Sequence, residues 1–183
     1  MKVHPQTMSP CFIDFEAFQH GGEQFKIKEL CIVDADRFCQ PMYMVFHPHT
    51  RWHRLNLQQR RTYAYQTNRL HHLHWNEGFM RYCRKCVFAM IQWFLPNWRR
   101  QTFYVLGNQK LIHLQREFPR LRLVEYNATL SQLPQLCPQS TCVNRNHGEH
   151  CAYLKCYRLY YHYMMLLWWK YIVFSGGQKS WLF

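Results

Sequence analysis

Asp14 and Glu16 stand two residues apart in the stretch Cys11-Phe12-Ile13-Asp14-Phe15-Glu16-Ala17-Phe18. β-Formers and aromatics alternate there with short residues, which predicts a strand. Both carboxylates then leave the same face of that strand. Two neighbouring acids repel each other. They are tolerated where something positive lies between them, most often a divalent ion holding a phosphate. A solvent-facing acidic edge would carry the same pair.

A second set of chemically able residues is Cys137, Cys142, His147, His150, Cys151 and Cys156, six potential zinc ligands within twenty residues. His147 and Cys151 are four apart and share a face of any helix that includes both. Cys142, His147 and Cys151 supply three ligands where structural zinc takes four. His71 is the candidate fourth, with Cys156 competing. Buried thiols beside solvated histidines would use the same residues without a metal.

A third set lies between His47 and Arg69. Arg51, Arg54, Arg60, Arg61 and Arg69 are interleaved there with Trp52, Tyr63 and Tyr65. Arginine binds phosphate and aromatic rings stack on bases, so the mixture suits single-stranded nucleic acid. Arg51, Trp52, Arg60, Arg61 and Tyr63 are the expected contacts. The alternative is a surface loop with a helical turn whose cations are merely solvated. The net charge of +13, from 23 Lys and Arg against 10 Asp and Glu, favours a polyanionic partner, nucleic acid before an acidic membrane.

The elements that must position these groups fit one domain in a chain of 183 residues, and 48% hydrophobic content is enough for a sizeable core. His20-Gly21-Gly22-Glu23 predicts a hairpin turn into a second strand over 24–34, and 42–46 reads as a third. Residues 79–95 carry apolar side chains at helical period, with Pro96 as the stop. Cys83 and Cys86 fall in that apolar stripe and are expected in the core. Strands at 102–106 and 121–126 flank a helix at 109–118, and a last helix is expected from near Gly148 to beyond Tyr163. A meander followed by alternating helices and strands predicts an α/β fold, a mixed sheet of antiparallel and parallel strands with flanking helices. The aromatic run 159–174 is broken by His162 and Lys170 and falls short of the ~20 apolar residues of a membrane span. It reads as a buried helix or one covered by a protein partner. Nine cysteines, with no apolar run after Met1, point to the cell interior, cytoplasm or nucleus.

This order of elements, with Asp-x-Glu on the first strand, resembles the DEDDh exonucleases of the RNase H-like fold over roughly residues 11–163. In that family four acids hold two metal ions and a histidine deprotonates the attacking water. Asp14 and Glu16 match the first motif, and Leu70-His71-His72-Leu73 resembles the phrase that precedes the first long helix. The second motif has no acid in Gly107-Asn108-Gln109-Lys110. The third, His150-Cys151-Ala152-Tyr153-Leu154-Lys155, keeps its His and Ala but ends in Lys. His150 is the catalytic base that the resemblance implies. Lys110 and Lys155 replace the two missing acids, and an ammonium could occupy the space of a metal and pair with Asp14 or Glu16.

The chain also resembles the Maelstrom domain, an RNase H-like family that lacks the exonuclease acids. Glu29, His47, His71, Cys142, His147 and Cys151 follow the order of that family's Glu-His-His-Cys-His-Cys set. The resemblance implies single-stranded RNA binding with weak or absent nuclease activity and a structural zinc. The expectation is a single RNase H-like domain with an aromatic C-terminal tail. Its alternatives are an active exonuclease using magnesium or manganese, and a zinc-stabilised protein-interaction module.

Overall fold

The computed structural model describes residues 9–19, 25–136 and 151–175, the side chains of 174 and 175 excepted. In chain order its elements are β1 (Cys11–Gln19), β2 (Phe25–Asp34), β3 (Met42–His47), α1 (Leu57–Gln66), β4 (Met80–Arg81), α2 (Arg84–Phe94), β5 (Thr102–Val105), α3 (Asn108–Glu117), β6 (Arg122–Glu125) and α4 (Ala152–Ser175). The fold is α/β, and the strands form one mixed sheet in the order β4-β3-β2-β1-β5-β6. β1, β2 and β3 pair antiparallel as a meander; β5 joins β1 in parallel and β6 joins β5 in parallel.

β1 is central because both of its faces are covered. Ile13 and Phe15 point to one side, where they pack with Leu30, Ile32, Val87, Ile91 and Leu114 beneath α2 and α3. Phe12 points to the other, against Cys31, Val33, Cys156 and Leu159 beneath α4. The alternation is the period of two expected of a strand. Each large apolar side chain so buried contributes roughly 1.5–3 kcal/mol. Past a bulge between Glu16 and Ala17, Phe18 joins Leu55, Tyr63 and Trp75 in a smaller cluster under α1.

α1 is a full helix where the sequence suggested a loop with one helical turn. Its flanks carry little apolar periodicity, yet its start is well made. The Asn56 side chain accepts the Gln59 N–H at 2.8 Å, and the Gln59 side chain accepts the Asn56 N–H at 3.1 Å. This reciprocal capping box satisfies two donors that the first turn would otherwise leave bare. A wider, π-type turn over Thr67–His71 closes the segment.

α2 begins at Arg84, five residues later than the periodicity suggested. Gly78 adopts φ +137°, and a Cβ there would lie 2.4 Å from the Phe46 carbonyl carbon. That close approach lets Phe79 N–H reach the Val45 carbonyl at 2.9 Å and lays Met80–Arg81 alongside β3. Cys83 and Cys86, expected in the core, are instead half-buried and exposed at the helix start. Their side chains leave the buried stripe that Val87 and Ile91 define.

α4 is buried as far as Tyr160, still touches Tyr126 through His162 and Phe12 through Tyr163, and then runs outward with Met165, Trp168, Trp169 and Tyr171 at least 60% exposed. No helix among the described residues is long and apolar enough to cross a membrane.

Candidate functional site

Asp14 and Glu16 project from β1 toward α4, and neither faces open solvent: Asp14 is fully buried and the Glu16 side chain is 13% exposed. The turn at Gly107, φ +89°, starts α3 so that Lys110 in its first turns reaches across to them. The Lys110 ammonium lies 2.7 and 2.9 Å from the two Asp14 carboxylate oxygens and 3.2 Å from Glu16 Oε1, and it also donates to the Phe15 carbonyl. Lys155, on α4, pairs with the same Glu16 oxygen. Two acids and two bases therefore form one closed cluster of zero formal charge.

The electrostatics follow from burial set against pairing. Burial alone would lower the Lys110 ammonium, but the charges of Asp14 and Glu16 outweigh it and hold the group above the ordinary lysine range. Burial would raise the Glu16 carboxyl; Lys110 and Lys155 together bring it below its usual value. For the wholly enclosed Asp14, burial pushes the carboxyl upward against the pull of both lysines.

A divalent ion does not fit this arrangement. It would need the carboxylate oxygens that Lys110 already engages, and it would set two further positive charges against an ammonium within contact of both acids. Ligand number and charge decide affinity for magnesium, and here the cationic place is filled by the chain itself. The third residue of the expected catalytic set, His150, lies outside the described residues.

Of the expected zinc ligands, Cys142 and His147 also lie outside the described residues, while His71 and Cys151 fall within them. Cys151 is buried at the start of α4, and its Sγ lies 3.4 Å from Glu29 Oε1. Glu29 is fully buried on β2 opposite Glu16, and its other oxygen accepts the Ala152 N–H at 3.1 Å. This contact is a thiol-to-carboxylate hydrogen bond, with Cys151 donating, and its length is close to the about 3.5 Å that separates a sulfur and an oxygen on one tetrahedral zinc. His71 fits less well. Its Nδ1 accepts the Leu73 N–H at 3.1 Å, which leaves the proton of a neutral ring on Nε2. Its ring packs edge-on against Phe18, 4.8 Å between centroids. Among the described residues no three His, Cys, Asp or Glu side chains gather at metal-binding distance.

The Arg-rich segment is divided by α1 into inward and outward residues. Arg51 and Arg61 are exposed, as are Arg54 and Arg69. Arg60 is half-buried, and its guanidinium donates to the Leu55 and His53 carbonyls at 2.9 Å each, pinning the loop before the helix. Trp52 is half-buried beside Trp75. Tyr63, expected to stack on a base, is a core residue. Its ring lies 4.5 Å from Trp75 at 11° and 5.1 Å from Phe18, and it is 1% exposed. The exposed ring on this helix is Tyr65, at 60%.

Lys28 was not singled out by the sequence. Its ammonium is buried and donates to the Phe46 carbonyl at 2.9 Å, the Trp75 carbonyl at 3.0 Å and the Glu77 carbonyl. Burial brings it down to about 8 even though the Glu77 charge opposes the shift. It fastens the 74–78 turn to the sheet, directly beneath the Arg-rich segment. Compared with known proteins, the chain matches no family model and no curated protein sequence.

Proposed function

We propose that this chain is an RNase H-like domain that binds single-stranded nucleic acid, RNA in preference to DNA, and does not carry out two-metal hydrolysis. The observation that carries the reading is Lys110, seated on both carboxylates of the Asp14–Glu16 pair. It retains the acidic strand of a nuclease centre and neutralises it from within. The meander continued by two parallel strands supports the RNase H-like assignment. The charge of +13 and the exposed Arg51, Arg54, Arg61 and Arg69 support the polyanionic partner.

Binding then rests on cations following the phosphates, with Tyr65 and the open edge of Trp52 as the stacking surfaces. Zinc belongs to the same reading, with Glu29 and Cys151 as its described ligands; when bound, it would tie the start of α4 to β2. The test is fluorescence anisotropy on labelled single-stranded RNA, single-stranded DNA and duplex, together with a nuclease assay in magnesium and in manganese. Tight retention of single strands at about 50 mM salt, with a log–log slope near −0.7 per phosphate contacted, is the expected result. Failure to retain any single strand at that salt overturns the binding assignment, and hydrolysis of the strand in magnesium restores the exonuclease alternative.

The exposed end of α4 favours a second role for that segment alone. Trp168 and Trp169, each about two-thirds exposed, form an apolar surface suited to a protein partner. Loss of partner capture with unchanged RNA affinity on Trp168→Ser/Trp169→Ser would separate the two roles.

A further inference from the structure

Cys83-Arg84-Lys85-Cys86 takes no part in the acidic cluster, the Arg-rich segment or the Glu29 corner. Its two sulfurs are in contact, 2.6 Å apart, where the chain leaves β4 and enters α2. Cys83 is the N-cap of α2: its sulfur accepts the Cys86 N–H at 3.4 Å as well as the Cys86 thiol. These contacts give the two sulfurs unequal roles. Hydrogen bonds from the Cys86 thiol and N–H hold Cys83 below the ordinary thiol range, with the Lys85 charge assisting. The same contact with Cys83 pushes Cys86 upward. Cys83 is thus the more readily ionised of two adjacent sulfurs, with Cys86 within reach to resolve a mixed disulfide, the arrangement that thiol–disulfide exchange requires.

Access separates this pair from most other described cysteines. Cys11, Cys31, Cys151 and Cys156 are buried, whereas Cys86 is exposed and Cys83 half-buried; Cys39 is the other exposed thiol among the described residues. Arg84 and Lys85 are exposed between the two sulfurs and favour an anionic thiolate.

We propose that Cys83 and Cys86 are a reversible redox site that takes low-molecular-weight disulfides as its oxidant. The Cys83 thiolate attacks one sulfur of the small disulfide. That S–S bond breaks, one thiolate leaves and takes a proton from solvent, and a mixed disulfide remains on Cys83. Cys86 then gives its proton to solvent and attacks the Cys83 sulfur, expelling the second thiolate, which also takes a proton from solvent. The protein pair is oxidised by two electrons and the small disulfide is reduced to two thiols. The site is independent of the nucleic-acid reading, and neither stands or falls with the other.

The test treats the full chain with glutathione disulfide at pH 7, alkylates remaining thiols and digests with trypsin. Trypsin cuts after Arg84 and Lys85, so the reduced chain yields Cys83 and Cys86 on separate peptides and the oxidised chain yields them cross-linked. The expected result is the cross-linked pair, reversed by a reducing thiol, with Cys83 reacting about tenfold faster than Cys39. Cys86→Ser should halt at a glutathione mixed disulfide on Cys83. Cys83→Ser keeps a good N-cap, so α2 remains folded by circular dichroism while cross-linking is lost. The proposal is overturned if wild-type chain accumulates glutathione without the cross-link. It is overturned equally if Cys39 reacts as fast as Cys83.

Discussion

Lys110→Met keeps most of the length and apolar stem of the side chain and deletes its charge. Asp14 then loses two hydrogen bonds, at 2.7 and 2.9 Å, and is left fully buried as an unpaired acid, while Glu16 retains Lys155. At an effective dielectric of about 20, opposite charges about 3 Å apart attract by about 5 kcal/mol before desolvation is counted. Breaking a buried pair from one side costs about 3–5 kcal/mol in practice, because the remaining charge stays enclosed. Lys110 itself is a quarter exposed, so Asp14→Asn strands it less severely and should cost about 1–2 kcal/mol. The double variant contains no stranded charge, and its loss should fall short of the sum of the single losses by about 2–3 kcal/mol. Urea unfolding of the four proteins measures this coupling through the transition midpoints. A Lys110→Met variant within about 1 kcal/mol of wild type, with effects that add to within about 0.5 kcal/mol, would refute the closed cluster. Magnesium supplies a second arm. An ion bound only by the folded state at about one hundred times its Kd stabilises by about 2.7 kcal/mol. Wild type should show no such rise in melting temperature; a rise that Asp14→Asn abolishes would mean that the ammonium yields to a metal.

Other outcomes follow from the same geometry. Arg61→Ala should flatten the salt dependence of RNA binding by about 0.7 per lost phosphate contact, and Tyr65→Ala should weaken binding by about 1–3 kcal/mol with little change in slope. Tyr63→Ala should instead destabilise the fold by about 3–5 kcal/mol, read from urea unfolding, because it opens a cavity between Phe18 and Trp75. Gly78→Ala should cost more than about 2 kcal/mol, since φ +137° is strained for any side chain and the new Cβ meets the β3 backbone. Burial raises the thiols of Cys11, Cys31 and Cys156. The stability they contribute is complete below the unfolded thiol pKa of about 8.5 and is lost as pH rises above it, so the melting temperature should fall from pH 8 to 10. Lys28, brought down to about 8 by burial, contributes the opposite slope, and Lys28→Met should therefore steepen the alkaline loss as well as lower stability at pH 7.

How far the site could be read from the chain depended on whether local pattern or tertiary placement decided each residue. β1 was legible because its alternation is a local property, and the expectation that Lys110 or Lys155 pairs with Asp14 or Glu16 needed only the residue types at those positions. Tyr63 and Tyr65 were not separable. Two residues apart on a helix they face different ways, and only the placement of Phe18 and Trp75 makes Tyr63 the inward one. α1 escaped a reading based on apolar period, since only Tyr63 and Gln66 are buried along its ten residues, yet Asn56 and Gln59 carried a local signal in their capping-box spacing. Lys28 offered no such signal. Glu16 pairs with Glu29 and Ala17 with Ile27, so Lys28 is the extra residue of a bulge, and the carbonyls it engages come from segments 18 to 49 positions away.

The cluster at Lys110 joins both kinds of information. The sequence supplies two acids on one strand and a lysine on each of two helices, and the fold brings the four together. Two buried carboxylates alone would repel each other, and the lysines that reach them make the cluster neutral inside the protein. Each acid is held by a lysine from a different element, so Asp14 cannot be removed without stranding part of the positive charge of Lys110. The four charges therefore tie β1 to both α3 and α4, and they stabilise the fold as a unit, because removal of any one leaves the enclosed cluster with an unbalanced charge.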